Sequence, residues 1–381
     1  MATRCMIASA CPIVKVYNST MSIAELPLLT AAHALPAILD QPAESLRAWL
    51  AERGEPPMRL RQVRRWLLAA RAESFEQMTD LPAALRTGLA AAFLPLGTRI
   101  AVHQKAHDGT HKLLLKLSDG GQIECVLIQD DRRRTACVST QVGCGMGCVF
   151  CASGLNGLER NLTSGEIIEQ LVRLRNLLPP NERLTNIVVM GMGEPLANLD
   201  NLLAALAEAG RKDGLGIGAR HITISTVGLP AKIRELADLG KQYHLAVSLH
   251  APNDRIREQI VPPGEKIGLA TILETTDYFF AKTGRQVTFE YVLLGGVNDH
   301  WTHGRELGEL LKGKKAHVNL IPFNEVEGLP YRRPDDESLA AFVQQLQRAG
   351  VSVKVRKRKG SEIDAACGQL RRRAAKELLH S

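Results

Sequence analysis

The chain has 381 residues, enough for one large domain with appendages or for two domains of ordinary size. Hydrophobic residues make up 45% of it, and no apolar run approaches the roughly 20 residues that span a bilayer, so a membrane-spanning protein is excluded. The formal net charge is +8, and residues 351–381 hold most of the excess. Such a cluster suits a polyanion such as RNA, although a solvated basic tail explains it almost as well.

Residues 1–40 show no strong hydrophobic period, and we expect a partly disordered lead-in there. No basic start leads into an apolar stretch, so no secretory signal is predicted. Eight cysteines, three of them closely spaced, fit metal or redox chemistry in a reducing compartment better than a secreted disulfide framework. We therefore expect the protein in the cytoplasm.

Residues 41–97 are predicted to form a small helical domain that assists RNA binding. Apolar residues recur at helical spacing in three segments, which contain Leu46, Trp49 and Leu50, then Val63, Trp66 and Leu67, then Leu85 and Leu89. Arginines interleave with the second stripe, which fits a basic face or, more commonly, a solvated one. Residues 98–130 then alternate in a strand-like pattern, and turn signals at Asp108-Gly109 and Asp119-Gly120-Gly121 predict a short β-hairpin region.

Residues 131–350 alternate between extended and helical patterns. Strands are predicted near 135–140, 186–190, 221–226, 244–249, 287–293 and 317–321, and helices near 164–178, 199–210, 229–239, 271–283, 300–312 and 335–349. A capping box at Thr163 and Glu166, a cap at Asp335, and glycines just past helix ends at Gly210, Gly240 and Gly350 support these bounds. The pattern predicts an α/β fold, a parallel sheet wrapped by helices, with ligands at the carboxyl ends of its strands. Residues 351–381 are expected to hold a C-terminal strand, a cysteine loop and a basic tail.

The strongest motif is Cys144-Gly-Met-Gly-Cys148-Val-Phe-Cys151, after the first of these strands. Three thiolates on a glycine-containing loop can ligate three irons of a cubane cluster and leave the fourth iron for an external ligand. A structural zinc site needs a fourth ligand nearby, and the first downstream histidine is His221, so zinc is the weaker alternative. The loop resembles that of the radical S-adenosylmethionine (SAM) superfamily. The resemblance implies a partial, six-stranded parallel βα barrel, one 4Fe–4S cluster, and SAM at the open iron.

Polar residues follow several of the predicted strands. Gly191-Met192-Gly193-Glu194-Pro195 presents a turn and a carboxylate that suit the ammonium of the methionyl group of SAM. With the resemblance, the cofactor-binding candidates are Gly193, Glu194, Ser225, Ser248, Leu249, His250 and Asn324. Any one of them is commonly a turn or helix-cap residue, and their shared position at strand ends is what favours a site.

Two further cysteines narrow the resemblance. Cys137 lies in Thr-Ala-Cys-Val-Ser-Thr-Gln-Val-Gly, and Cys367 lies in Ile-Asp-Ala-Ala-Cys-Gly-Gln-Leu. With the cluster loop, the Gly-Met-Gly-Glu-Pro turn and Ser-Leu-His-Ala-Pro-Asn-Asp at 248–254, they resemble the RNA adenine C2-methyltransferases over residues 45 to 370. The resemblance implies action on an adenine of 23S rRNA and on the adenine next to the anticodon of tRNA.

The resemblance also implies a route and its participants. Cys367 takes a methyl group from one SAM, and a second SAM at the cluster yields the radical that removes a hydrogen from that methyl, so two SAM are used per turnover. The methyl carbon joins the ring, and Cys137 releases the RNA by forming a disulfide with Cys367. Glu124 matches the family's proton acceptor, although an exposed strand carboxylate is nearly as good an interpretation. An electron donor such as flavodoxin or ferredoxin is implied, and we expect a monomer.

Alternatives remain open at this point. Methylation of carbon 8 of the same ribosomal adenine uses the same cysteines, and a non-catalytic RNA-binding module could hold zinc. Basic clusters at residues 132–134, 354–359 and 371–373 are the expected RNA contacts. The chain departs from the family at Cys125, where a small hydroxyl residue is usual, and at Val261-Pro262-Pro263-Gly264, which puts a loop near the RNA in doubt.

Overall fold

The computed structural model describes residues 35–262 and 267–370. Most of the predicted lead-in, the basic cluster at 371–373 and the Pro263-Gly264 part of the departing loop lie outside the described residues. The boundaries predicted between domains remain predictions.

Three helices open the described chain: α1 (Ala43–Ala51), α2 (Met58–Leu68) and α3 (Ala83–Ala92). They confirm the three predicted helical segments. The leucine and valine positions of the predicted stripes are buried in one hydrophobic cluster, completed by Phe75 and Met78 of the connection between α2 and α3. Trp49 and Trp66 are only partly buried and pack against that cluster from its side.

The described residues form twelve strands, ten of which make up the central sheet. In chain order the strands are β1 (Arg99–Lys105), β2 (His111–Lys116), β3 (Gln122–Asp130), β4 (Arg133–Cys137), β5 (Gln141–Gly143), β6 (Leu158–Asn161), β7 (Asn186–Val189), β8 (Ile222–Thr226), β9 (His244–Ser248), β10 (Val287–Leu293), β11 (Ala316–Pro322) and β12 (Ser352–Val355). The sheet order is β1-β2-β3-β4-β7-β8-β9-β10-β11-β12, while β5 and β6 pair only with each other. Within the described ranges the pairing does not close from β12 back to β1.

The parallel part of the sheet confirms the predicted α/β fold. β4 and β7 to β11 match the six predicted strands, and β12 adds a seventh parallel strand beside β11. The predicted hairpin region does not stand apart. β1, β2 and β3 form an antiparallel meander that joins the same sheet, because β3 pairs antiparallel with β4.

Helices connect the parallel strands: α4 (Ser164–Asn176), α5 (Leu199–Gly210), α6 (Pro230–Asp238), α7 (Asp254–Ile260), α8 (Leu269–Thr283), α9 (Trp301–Leu311) and α10 (Asp336–Arg348). The capping box at Thr163 and the cap at Asp335 are both formed. Gly240 and Gly350 have left-handed φ just past their helices, as predicted. The prediction for Gly210 was wrong, because it is the last residue of α5 and its φ is not positive. The short helix α7 and the β5–β6 pair were not predicted.

Buried polar contacts attach the N-terminal helices to the sheet region. The guanidinium of Arg175 on α4 donates to the carbonyl oxygens of Leu67 (2.9 Å) and Leu68 (2.8 Å) at the end of α2. Burial lowers the pKa of Arg175 to about 10, so the group still carries its charge at neutral pH. It satisfies carbonyl groups that the last turn of a helix leaves without partners.

No helix in the described ranges is long and apolar enough to cross a bilayer.

Replacement of Arg175 by Met should lower the free energy of unfolding by about 2–4 kcal/mol, because two buried carbonyl groups lose charged hydrogen-bond donors. Urea denaturation of the purified protein measures the change. Arg211, which forms an exposed ion pair with Asp213, offers a matched control, and Arg211→Met should cost less than about 1 kcal/mol. Equal losses in the two variants would contradict an anchoring role for Arg175.

Candidate functional site

The sheet and its loops line an open cavity whose empty space, part of it open to solvent, is about 920 Å³. Its wall includes residues at or just beyond the ends of β7, β8, β9 and β11, which is where a parallel α/β sheet binds ligands. The predicted site residues that line it are Cys144, Cys148, Cys151, Gly193, Glu194, Ser225, Ser248, His250, Asn324 and Cys367. Three predicted site residues, Glu124, Cys137 and Leu249, are not part of the lining.

The three-cysteine loop connects β5 to β6. The Cys144 N–H donates to the carbonyl oxygen of Gly157 (3.0 Å), and Gly143 precedes it with a φ of 80°. A Cβ atom on Gly143 would lie 2.0 Å from that same carbonyl, so only glycine allows the two arms to approach. The loop is thereby held in one conformation, with its thiols towards the cavity.

Burial makes the charged form of these thiols costly. It raises the pKa of Cys144 to about 11, and it raises the pKa of Cys148 and of Cys151 as well. A cationic iron centre bound by thiolate would reverse this cost, because metal coordination deprotonates a thiol outright. Three softly ligating side chains in a largely apolar cavity therefore fit an iron–sulfur cluster.

A cubane spreads its irons over several bonds, so each of the three loop cysteines can ligate a different iron and their sulfurs need not meet at one point. In the described part of the chain, no three Cys, His, Asp or Glu side chains converge closely enough to hold a single ion.

The Gly-Met-Gly-Glu-Pro turn brings its backbone hard against the segment after β4. A Cβ atom on Gly191 would lie 2.6 Å from Ser139 Oγ, and one on Gly193 would lie 2.6 Å from Gln141 Cβ. The turn delivers Glu194, which is 3% exposed, to the cavity wall. Its two carboxylate oxygens accept hydrogen bonds from the backbone N–H groups of Leu196 (3.0 Å) and Val227 (2.8 Å). The Thr226 side chain also donates to this carboxylate, and the remaining lone pair can accept from an ammonium group.

His250 enters the cavity with a left-handed φ of 59°, which is uncommon for a residue with a side chain. Its Nδ1 accepts a hydrogen bond from the Val292 N–H (3.0 Å), so the proton of the neutral ring is on Nε2. Burial lowers the pKa of His250 to about 3, and the ring is neutral at physiological pH. The ring of Phe150, from the cluster loop, packs edge-on against it at 4.9 Å between centroids.

The C-terminal segment lies against the cluster loop and carries Cys367. The Ala152 N–H donates to the carbonyl oxygen of Gly368 (2.8 Å), and the Asn324 side chain donates to that of Cys367 (3.2 Å). Cys367 is reachable by solvent through the cavity. The surrounding protein raises the pKa of its thiol, while the positive charge of Arg356 acts in the opposite direction.

Cys137 ends β4 next to this segment, although it is only 6% exposed. Burial raises the pKa of Cys137 to about 12, and repulsion from the charged form of Cys367 raises it further. The charge on one sulfur therefore affects the other. Both are free thiols in this structure. The segment after β12 thus brings together two cysteines that are 230 positions apart in the sequence.

The two remaining predicted residues lie outside the cavity lining. Glu124 is 1% exposed, and its carboxylate lies 3.1 Å from the ammonium of Lys112, which also donates to the carbonyl oxygen of Asp364. The alternative of an exposed strand carboxylate is therefore wrong. Leu249 is fully buried, and its backbone N–H donates to the carbonyl oxygen of Glu290.

Two charged residues of the cavity were missed as site residues. Arg356 was assigned to the basic RNA-binding cluster, yet its side chain lines the cavity, and Glu290 on β10 lines it too. Arg356 belongs to the run Lys-Val-Arg-Lys-Arg-Lys, and the sequence alone does not distinguish it from the other cations there. Which of them faces the cavity depends on where β12 ends. A carboxylate inside a strand of buried residues was the one available signal for Glu290.

Comparison with known proteins gives a consistent result. Residues 138–304 match the family model of the radical SAM superfamily, and residues 37–94 match that of the ribosomal RNA large subunit methyltransferase N-terminal domain. A protein of Rhodopirellula baltica named "Probable dual-specificity RNA methyltransferase RlmN" is 56% identical over 88% of this chain and 90% of its own length. A Bacillus licheniformis protein of the same name is 48% identical over 90% and 95%, respectively. The crystal structure of a radical SAM methyltransferase from Sphaerobacter thermophilus, 41% identical, superimposes with a TM-score of 0.85 over 88% of this chain and 99% of that one.

Anaerobic reconstitution with iron and sulfide should give the wild-type chain a bound cluster, and Cys148→Ser should lose most of the iron and labile sulfide because one ligand is gone. Cys125 is a matched control, since it is a buried cysteine that does not line the cavity. Cys125→Ala should retain the cluster. Stoichiometric zinc without labile sulfide in the wild-type chain would contradict the cluster assignment.

Proposed function

The chain belongs to the family of RlmN-type dual-specificity RNA methyltransferases within the radical SAM superfamily, and we propose that it methylates carbon 2 of adenine in both 23S rRNA and tRNA. The observation that carries the proposal is the shared cavity. Cys367, the candidate methyl carrier, faces the same space as the three candidate cluster ligands. The tRNA target is the adenine next to the anticodon.

Carbon 2 of adenine has no lone pair, so it cannot displace the methyl group of SAM directly. When bound, the 4Fe–4S cluster and SAM supply hydrogen-atom abstraction chemistry. Cys144, Cys148 and Cys151 would hold the cluster. Gly193, Glu194, Ser225, Ser248, His250 and Asn324 would surround SAM, with Leu249 contributing through its backbone.

Cys367 is the proposed methyl carrier. Its thiol is reachable from the cavity, and its loop is fixed by hydrogen bonds on both sides, to Ala152 and to Asn324. As a thiolate it can take a methyl group by displacement, and the methyl carbon is then held at the position from which the base is reached. The proposal requires a first SAM for this transfer and a second SAM for the radical step.

Cys137 is the proposed resolving thiol, which releases the product. Attack of its thiolate on the sulfur of Cys367 leaves a Cys137–Cys367 disulfide, which a reductant must open before the next turnover. Glu124 is the proposed proton acceptor for the C2 hydrogen. Its partner Lys112 also donates to the Asp364 carbonyl of the Cys367 loop, so one ammonium group links the carboxylate to that loop.

The proposal includes partners in the cytoplasm. The exposed cations Lys354, Lys357 and Arg358 lie in the segment that leads to the Cys367 loop, where RNA phosphates would pass. A flavodoxin or ferredoxin would deliver the electron for the cluster, and the chain would act as a monomer. The target adenine must leave its stack to enter the cavity.

Anaerobic turnover with SAM, a reductant and unmodified 23S rRNA and tRNA should yield 2-methyladenosine in both RNAs, measured by nucleoside mass spectrometry. Cys367→Ala should abolish it, because the methyl carrier is lost. Lys312→Gln, at an exposed lysine just after α9, serves as the control and should retain the activity. Formation of 8-methyladenosine would overturn the assignment to carbon 2, and activity in Cys367→Ala would overturn the methyl-carrier route.

Combined Lys354→Gln, Lys357→Gln and Arg358→Gln should weaken tRNA binding and reduce the slope of log affinity against log salt by about one per lost phosphate contact. Filter binding across a salt series measures both quantities. Lys312, exposed after α9, provides a control, and Lys312→Gln should leave the slope unchanged. Unchanged affinity and slope in the triple variant would remove these residues from the RNA interface.

A further inference from the structure

Arg356 lines the cavity, and none of the proposed steps assigns it a role. It follows β12, and its backbone N–H donates to the carbonyl oxygen of Leu320 (2.8 Å). Its Nη1 lies 3.6 Å from Glu290 Oε2 and 3.9 Å from the sulfur of Met190. The backbone contact fixes where the side chain starts, and the carboxylate attracts its charged end.

The buried carboxylate of Glu290 favours a cation beside it. It is 4% exposed, and its Oε1 accepts a hydrogen bond from the Asn319 side chain (3.0 Å). Its Oε2 is buried and has no hydrogen-bond partner among the described residues, so Arg356 is the charge that compensates it. A buried carboxylate left without such a cation is costly, and the ion pair therefore keeps the guanidinium inside the cavity.

The same guanidinium acts on both cysteines of the proposed cycle. The Met190 N–H donates to Cys137, and the Met190 sulfur lies 3.9 Å from Arg356 Nη1, while Cys367 lines the same cavity as Arg356. The charge of Arg356 lowers the pKa of both thiols, against the burial that raises them. Once Cys367 is alkylated it has no proton to lose, and Cys137 is the remaining thiol of the pair. The charged and titratable groups that act on Cys137 are Arg356, Cys367 and, from the neighbouring strand β3, Cys125.

We propose that Arg356, held by Glu290, is a positioning residue that stabilises the thiolate of Cys137 during release of the methylated RNA. The inference rests on the proposed function, because it assigns a residue to the release step of that cycle. An arginine suits the task, since it stays charged in a buried setting and its charge is in place before the thiolate forms.

The release step conserves atoms and electrons. The lone pair of the Cys137 thiolate forms the S–S bond to Cys367, and the Cys367 S–CH₂ bond breaks with its electron pair remaining on the carbon attached to adenine. That carbon takes one proton and becomes the methyl group. A dithiol reductant then supplies two electrons and two protons to restore both thiols.

The test follows the covalent protein–RNA adduct in a single turnover of the full chain with cluster, SAM and tRNA, quenched in denaturant. Arg356→Gln should form the adduct but resolve it about tenfold more slowly at neutral pH, as for a one-unit rise in the pKa of Cys137. Raising the pH should restore the rate, because more thiolate forms. Arg356→Lys should recover part of the rate, and Glu290→Gln should show a smaller delay than Arg356→Gln.

Controls separate this inference from the proposed function. Arg348→Gln, at an exposed arginine that ends α10, should resolve the adduct at the wild-type rate. Cys137→Ala should accumulate the adduct; if neither it nor the wild type forms one, the proposed function fails, and the inference with it. Wild-type resolution by Arg356→Gln at every pH would overturn the inference alone. So would failure of Arg356→Gln to methylate Cys367 in peptide mass spectra, since Arg356 would then act earlier.

Discussion

The hydrogen bond from the Ala152 N–H to the Gly368 carbonyl joins the two loops that carry the chemistry. Ala152 follows the last cysteine of the cluster loop, and Gly368 follows Cys367, so one backbone contact holds Cys367, the proposed methyl carrier, beside the candidate cluster site. The Ser153 hydroxyl adds a second contact, to the carbonyl oxygen of Leu370 (2.6 Å). Because a displaced reacting atom costs rate steeply, the rest of the site depends on this junction.

Burial shifts the pKa values of the titratable groups in and around the cavity. It raises the pKa of the cluster thiols and of Cys137, and it lowers that of His250, so uncharged forms are favoured wherever no counter-charge is present. Two contacts offset the burial of carboxylates: backbone N–H groups donate to Glu194, and Arg356 lies opposite Glu290. A largely apolar site with a small number of fixed charges suits a reaction whose intermediates must be kept from water.

The sequence predicts the repeating part of the fold well and the irregular part poorly. Period and caps locate the six strands and their helices because each spans several residues of consistent pattern. The β5–β6 pair and α7 are too short to show a period, yet they shape the cluster loop and meet it, through the Val149 N–H and the Ile260 carbonyl. Cysteine spacing predicts the cluster loop directly. The pairing of Glu124 with Lys112, and the inward turn of Arg356, depend on strand register and cannot be obtained from spacing alone.

A methyl group that passes through Cys367 loses one hydrogen before it reaches RNA. Turnover with SAM that carries a fully deuterated methyl group measures this loss, by mass spectrometry of both products. Transfer through Cys367 should leave one deuterium in 5′-deoxyadenosine and two in the methyl group of the modified adenine. Three deuterium atoms retained in the RNA methyl group, with none in 5′-deoxyadenosine, would contradict it.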